Sequence, residues 1–396
     1  MVSISRKLAG FTINGVNTNC RRAYTLPDPT FQADPLARFK AIAVSTNERP
    51  RVLITGALGQ LGRGLNSVYR YMYGDDCVVM TDILKAPRNA SDICDSTRNK
   101  KKNIFSDNYF YLDILSQPCI ERFVVDHRID TIVHFSALLS AIGEQNVNLS
   151  LQVNCRGVEN ILEVARKHQL KVFIPSTIGA FGPTTPRDNV PDSTIQAPTT
   201  IYGVSKVYAE RLGEYYHHKF GVDFRCLRFP GIISTTKPGG GTTDYAIEIF
   251  YEALKRGRYT CYLRPDTTLP LMYDTDCMAS VIQFLSAPSE SLTHRTYNVT
   301  GFSFTPVDIA NAIKKIIPHF EIDYSICNVR QCIADSWPRS LDDSEAKKDW
   351  GWRVEYGLDE TVQVMLALLQ RDADKIAKED LSPKGAFDTI KALNKS

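Results

Sequence analysis

Between Arg51 and Gly62 the chain reads Arg-Val-Leu-Ile-Thr-Gly-Ala-Leu-Gly-Gln-Leu-Gly, and no other stretch restricts the fold as much. Val52, Leu53 and Ile54 form a run too short for a helix and too apolar for a surface. With β-branched side chains and an abrupt glycine end, that composition predicts a central parallel strand buried on both faces. Gly56, Gly59 and Gly62 follow at three-residue spacing. Without a Cβ the backbone turns sharply at the first, lets a pyrophosphate approach at the second and packs a new helix on the sheet at the third. The helix opening at Gln60 and Leu61 offers free N–H groups and the positive end of its dipole to an anion. The motif predicts a doubly wound, Rossmann-type α/β fold with a dinucleotide across the strand ends.

The downstream runs fit that plan. Cys77-Val-Val-Met80 leads to Asp82-Ile83, where this fold places an acid on the adenosine ribose hydroxyls; an anion there repels a 2′-phosphate, so NAD is expected over NADP. Tyr109-Phe-Tyr-Leu112 resumes the sheet and ends at Asp113-Ile114, placed to bracket the adenine. A fourth buried strand, Thr131–Phe135, leaves through Ser136-Ala137 and the small-residue run ending at Gly143, which gives a ligand room against the strand end. Apolar periodicity predicts a helix over Leu151–His168, then a strand at Lys171–Ile174, a helix from Tyr202 to Lys219 and a strand from Phe224 to Phe229 stopped by Pro230-Gly231. Beyond that the β-α alternation fades into a smaller C-terminal substrate lobe closing over the sheet edge. There Gly239-Gly-Gly241 is a candidate hinge, and Thr305-Pro306 with Asp308 signals a capped helix start. The expected organisation is a transit peptide and linker over 1–45, a nucleotide-binding domain over 46–235 with an exposed insertion at 88–108, a mainly substrate-binding lobe over 236–372 and a tail over 373–396.

Composition narrows the function. At 396 residues and 43% hydrophobic content the chain suits a nucleotide-binding core with a second lobe, and its net charge of +3 is small and scattered, which argues against nucleic acid. No segment is long and apolar enough to span a membrane. The ten cysteines form no C-x-x-C pair, so they read as reduced, with no metal site. Arg6, Lys7, Arg21 and Arg22 precede the first acidic residue, Asp28, a transit-peptide composition that predicts a mitochondrial location; a disordered cytosolic tail is the alternative.

Tyr202 and Lys206 stand four apart at the start of a helix and so project from one face. A phenol with a reference pKa near 10 is a poor base at neutral pH, and an adjacent ammonium favours its phenolate. Thr177, ending the strand before that helix, offers a hydroxyl to share a substrate oxygen with the phenol.

The ordered set Gly56/Gly59/Gly62, Asp82, Asp113, Thr177 and Tyr202-x-x-x-Lys206 resembles the extended short-chain dehydrogenases/reductases, as does Leu341–Trp352 with its Gly-Trp ending. Within that superfamily, His134–Glu144, Phe173–Pro183, Thr200–Lys206, Arg225–Ile233 and Gly239–Tyr245 resemble the short-chain group of L-threonine 3-dehydrogenases. The resemblance implies NAD-dependent oxidation of L-threonine at C3 to L-2-amino-3-oxobutyrate, the first step of threonine degradation to glycine and acetyl-CoA, in the mitochondrial matrix. It implies Tyr202 as general base, Thr177 orienting the oxygen and Lys206 lowering the Tyr202 pKa while holding the nicotinamide ribose. It carries over Ser140, Thr243 and Trp337 as substrate contacts and Asn154 and Ile232 as nicotinamide-side contacts. It further implies a homodimer through Leu151–His168 and Tyr202–Lys219, and functional coupling to a 2-amino-3-oxobutyrate CoA ligase. A nucleotide-sugar epimerase or dehydratase, with Arg256, Arg258 and Arg264 on a diphosphate, is the enzymatic alternative. A dinucleotide-sensing protein on a dead scaffold is the non-enzymatic one. The long 88–108 insertion and the tail depart from the family pattern.

Overall fold

The computed structural model describes residues 38, 39, 42, 49–85, 108–236 and 239–371. The basic N-terminal stretch through residue 37, the insertion through residue 107 and the 373–396 tail lie outside the described residues. In chain order the strands are β1 (Val52–Thr55), β2 (Val78–Asp82), β3 (Tyr109–Tyr111), β4 (Thr131–His134), β5 (Lys171–Phe173), β6 (Ser176–Thr177), β7 (Asp223–Phe229), β8 (Gly231–Ile233), β9 (Arg258–Cys261), β10 (Leu269–Tyr273), β11 (Thr296–Asn298), β12 (Phe302–Phe304) and β13 (Glu321–Tyr324).

The main sheet runs β11-β7-β5-β4-β1-β2-β3, with β6 also beside β7, and its pairings are parallel. β1 lies between β2 and β4, with Val52 opposite both Val78 and Thr131. Strand order therefore reverses between β1 and β4, which is where an open parallel sheet takes its ligand. The strand alternation distributes side chains to two cores: Val52, Ile54, Val78 and Met80 point to one, and Leu53 and Val79 to the other. The first core is closed by the helices Gln60–Tyr73 and Asp274–Ser286, through Leu65, Val68, Met278 and Ile282. The second is closed by Gln117–Asp126, Gly157–His168 and Ile201–Phe220, through Ile120, Ile161, Leu162 and Ala209.

A separate three-stranded sheet, β12-β10-β8, and the pair β13-β9 make the second lobe, packed around Tyr245, Phe250 and Phe320. The chain does not divide cleanly at its middle. After β10 it returns to the first unit, where the Asp274–Ser286 helix covers the sheet, β11 joins it and Trp352 enters its core.

Three local differences from the sequence reading have physical causes. Pro230-Gly231 does not simply stop a strand: proline withdraws an N–H from the ladder, and at Gly231 the chain crosses to β10 of the other sheet. The helix expected from Leu151 begins at Val147, capped by the Asn146 side chain on the Leu149 amide, and carries a π turn over Gln152–Arg156 before continuing as Gly157–His168. The expected linker is docked where it is described. Phe39 is buried in the first core, and Arg38 donates to Asp276 Oδ1 and to the Arg353 carbonyl, each at 2.6 Å. The predicted cap is formed, with Thr305 Oγ1 accepting from the Asp308 amide and the Asp308 carboxylate from the Thr305 amide.

Candidate active site

The glycine turn is built for close approach. Gly56 has φ of +65°, and a Cβ on it would stand 2.7 Å from the Ser136 nitrogen. A Cβ on Gly62 would stand 2.6 Å from Ala57 Cα, so the new helix rests directly on the turn. Gly59 begins the Gln60–Tyr73 helix with extended backbone and no side-chain cap, so the amides about Gln60 and Leu61 suit an anion. Asp82, ending β2, accepts from the Leu58 amide at 3.1 Å through Oδ2 and from the Leu84 amide at 3.2 Å through Oδ1, which fixes the carboxylate beside the turn. Ile83 is half-buried next to it. Asp113, after β3, closes a local turn on the Leu115 amide, and Ile114 packs beneath Gly157, whose Cβ would meet Ile114 Cδ1 at 2.5 Å. Ser136 and Ala137 line the exit of β4, half-buried beside Gly56.

Asn154 braces the cleft. Its Oδ1 accepts from the Leu138 amide at 2.8 Å, and its Nδ2 donates to the Leu138 carbonyl at 2.9 Å and to Ser205 Oγ at 3.2 Å. It thereby ties the β4 exit to the helix of Tyr202. Gln60 likewise reaches across, donating to Ser234 Oγ at 2.7 Å just after β8, whose Ile232 pairs with Met272.

The helix Ile201–Phe220 presents the chemistry. Thr200 caps it on the Gly203 amide, and Glu144 accepts from the Ile201 amide at 2.7 Å, so its first turn is held from two sides. Thr177 Oγ1, which accepts from the Gly179 amide at 3.1 Å, faces the Tyr202 phenol. Lys206 is buried, donates to the Pro175 carbonyl at 2.7 Å and lies 5.6 Å from the centroid of the Tyr202 ring. Burial pushes the Tyr202 phenol up to about 12 against the Thr177 hydrogen bond, and pushes Lys206 down to about 8 against Cys226 and Glu210. The Lys206 ammonium faces the Tyr202 ring and the Pro175 carbonyl, and Thr177 faces the phenol.

Behind this pair stands a group that pattern reading missed. Glu210, one turn past Lys206 and fully buried, accepts from Ser176 Oγ, from Gln196 Nε2 at 2.8 Å, and from Arg228 Nε and Nη2 at 3.0 and 2.8 Å. Arg228 is opposite Ser176 in the β6–β7 register and also donates to the Asp192 carbonyl at 2.6 Å. The carboxylate thus joins the Thr177 strand, the 181–200 loop and the Tyr202 helix. An arginine inside an apolar strand and a glutamate four past Lys206 were the available signals. His134, at the end of β4, is held by Thr55 Oγ1 at 2.8 Å, and burial pushes it down to about 3, so it is neutral.

The residues expected on the substrate side come from both lobes. Ser140 is buried at the start of the Ser140–Gln145 helix. Thr243 lies on Gly231, whose Cβ would meet it at 2.8 Å. Gly179 brings Thr177 and Trp337 together: its Cβ would stand 3.4 Å from Thr177 Cγ2 and 3.7 Å from Trp337 Cζ2. Leu139 reaches the glycine loop, 3.5 Å from a Cβ on Gly239. The arginines of the nucleotide-sugar alternative are each engaged by a carboxylate: Arg256 with Glu252, Arg258 with Asp323 and Arg264 with Asp335. Among the described residues no His, Cys, Asp and Glu cluster suits a metal ion, and no helix is long and apolar enough to cross a membrane.

A crossover at β1/β4, a glycine cradle and a Thr-Tyr-Lys set define an oxidoreductase site on a dinucleotide-binding fold. The chain belongs to the NAD dependent epimerase/dehydratase family, whose profile matches residues 52–300, and so to the extended short-chain dehydrogenases/reductases. It is 47% identical over 372 residues to "L-threonine 3-dehydrogenase, mitochondrial" of Bos taurus, covering 92% of this chain and 96% of that protein. The protein of the same name from Sus scrofa is equally similar, at 47% over 372 residues. Among solved structures, the L-threonine dehydrogenase of Phytophthora infestans superposes with a TM-score of 0.76 at 49% identity, covering 81% of this chain and 99% of that one.

Proposed function

We propose that this enzyme oxidises L-threonine at C3 with NAD, giving L-2-amino-3-oxobutyrate. The observation that carries the reading is the grouping of Thr177, at the end of β6, with Tyr202 and the buried Lys206, 5.6 Å from the centroid of its ring, in a chain whose relatives are named for this reaction. The cradle fits the cofactor: a side chain on Gly56 or Gly62 would strike backbone, whereas Gly59 leaves the helix amides open to a pyrophosphate, and Asp82 suits a ribose diol. When bound, NAD supplies the acceptor for the C3 hydride. Tyr202 takes the C3 hydroxyl proton, Thr177 holds the same oxygen, and the Lys206 ammonium provides the positive charge below the phenol that a phenolate requires. Ser140, Thr243 and Trp337 form the walls against the amino acid. The engaged state of Arg256, Arg258 and Arg264 leaves a sugar diphosphate without the expected partners.

The same reading extends to the surroundings. Leu151, Val204, Tyr208, Tyr215 and Phe220 are exposed on the two helices that would pair in a homodimer. The relatives' names support a mitochondrial location, and the product's chemistry supports coupling to a 2-amino-3-oxobutyrate CoA ligase, in the matrix by this reading. The test is NADH formation from NAD with L-threonine, allo-threonine or a UDP-sugar, beside a Tyr202→Phe control. Turnover of L-threonine that collapses in the variant supports the reading; conversion of only the nucleotide sugar overturns the substrate.

A further inference from the structure

Asp244 is a buried carboxylate that the reaction does not use. It follows Thr243 and precedes the Tyr245–Arg256 helix, yet its side chain turns back along the chain. Oδ2 accepts from the Gly240 amide and from the Gly241 amide, each at 2.7 Å. Two amides on one oxygen close residues 240–244 into a tight loop, and Gly240 sits at φ of +92°, where L side chains are strained. The other side of the loop is held by Tyr262, whose phenol donates to the carbonyls of Gly241 at 3.5 Å and Thr242 at 3.3 Å. The Arg330 guanidinium lies 4.1 Å from the centroid of that ring. Within the loop Thr243 is pressed against Gly231, so the loop sets where the Thr243 hydroxyl stands.

We propose that Asp244 is a positioning residue for the substrate: its ionised carboxylate clamps the Gly240 and Gly241 amides and thereby holds Thr243 in the wall of the cleft. The role of Thr243 rests on the L-threonine reading above; the clamp itself does not. The groups facing Asp244 are Glu248 on its own helix, Arg330 from Asn328–Ser336 and Tyr262 after β9. Burial and Glu248 raise its pKa, the two amides and Arg330 lower it, and it comes to about 6. The folded value lies above the free one, so ionisation costs fold stability as pH rises, and the carboxyl takes up its proton as pH falls through about 6. A neutral carboxyl accepts more weakly than a carboxylate, so the clamp is held above that range and released below it.

Two measurements on the full chain test this. Amide hydrogen exchange, corrected for the intrinsic pH dependence, is expected to show Gly240 and Gly241 protected near pH 7.5 and unprotected near pH 5, with β1 unchanged, and to show no such protection in Asp244→Asn at either pH. In kinetics, Asp244→Asn is expected to raise the KM for L-threonine about five- to tenfold, with kcat and the KM for NAD within about twofold. The wild-type KM rises on acidification and that of the variant does not. Equal protection at both pH values, or a loss confined to kcat, overturns the proposal. Should Asp244→Asn fail to fold, the wild-type exchange series still decides it. A wild type inert to L-threonine sinks the substrate reading while the exchange result still judges the clamp.

Discussion

The two sides of the cleft are held by different means. On the nucleotide side the glycine turn is set by backbone on backbone, with Gly56 against the Ser136 nitrogen and Gly62 against Ala57, and Asp82 adds one side chain on the Leu58 amide. On the substrate side, loops are held by side chains that reach backbone, as Asp244 does to Gly240 and Gly241 and Tyr262 to Gly241 and Thr242. A backbone contact cannot repack, whereas a side-chain bond can be weakened by a proton or a conservative exchange. The first side is expected to behave as fixed and the second as adjustable, and between them the Tyr202 helix, which carries the proposed chemistry, rests on a buried ion pair.

The largest effect tests the helix itself. Tyr202→Phe keeps the ring beside Lys206 and loses only the hydroxyl that faces Thr177. Activity is expected to fall by about 10²–10⁴-fold, with NAD affinity by fluorescence titration and unfolding by denaturant both unchanged. A drop in NAD affinity instead would place the phenol on the fixed side.

Next comes the ion pair. Glu210→Ala leaves Arg228 buried without its carboxylate, and a cost of about 3–5 kcal/mol is expected in chemical denaturation. The double variant Glu210→Gln with Arg228→Met removes both charges and is expected to cost much less. If the two variants lose the same stability, the network is not acting as a charge pair. Either way kcat should fall more than the KM for L-threonine changes, because Glu210 holds Ser176 beside Thr177 and stands a turn from Lys206.

On the fixed side, Gly62→Ala is expected to cost about 1–3 kcal/mol, since its Cβ would lie 2.6 Å from Ala57 Cα, and to weaken NAD binding with no change in the KM for L-threonine. A variant that binds NAD normally would show that the turn relaxes, and the contrast between the two sides would lose its basis.

The same contrast explains what could be read from sequence. The nucleotide side was legible because its geometry is written in local residue types: an apolar run, three glycines at fixed spacing and an acid at the end of the next strand. β1 through β7 and the Tyr202–Lys206 helix stand where period and turn residues put them. Contacts between distant segments left no such trace. The bonds of Asn154, in the π turn, to Leu138 sixteen residues earlier could not be read from local pattern. Phe39 was read as linker because prolines flank it, though it fills the core beside Val52. The return of the chain to the first sheet through β11 is a tertiary choice that a three-residue strand cannot announce. Spacing put Tyr202 and Lys206 on one face of a helix, and that the ammonium meets the Tyr202 ring and the Pro175 carbonyl is a tertiary detail that spacing does not give.

The smallest effect is the control that separates stability of the second lobe from its role in the cleft. Thr305→Ala removes an N-cap hydroxyl from the Pro306–Lys314 helix of the second lobe and is expected to cost about 1 kcal/mol. If adjustability on the substrate side belongs to the loop bonds themselves, this loss should appear in denaturation and leave the KM for L-threonine unchanged. A KM that rises with Thr305→Ala as it does with Asp244→Asn would mean that any softening of the lobe moves Thr243, and that the loop has no clamp of its own.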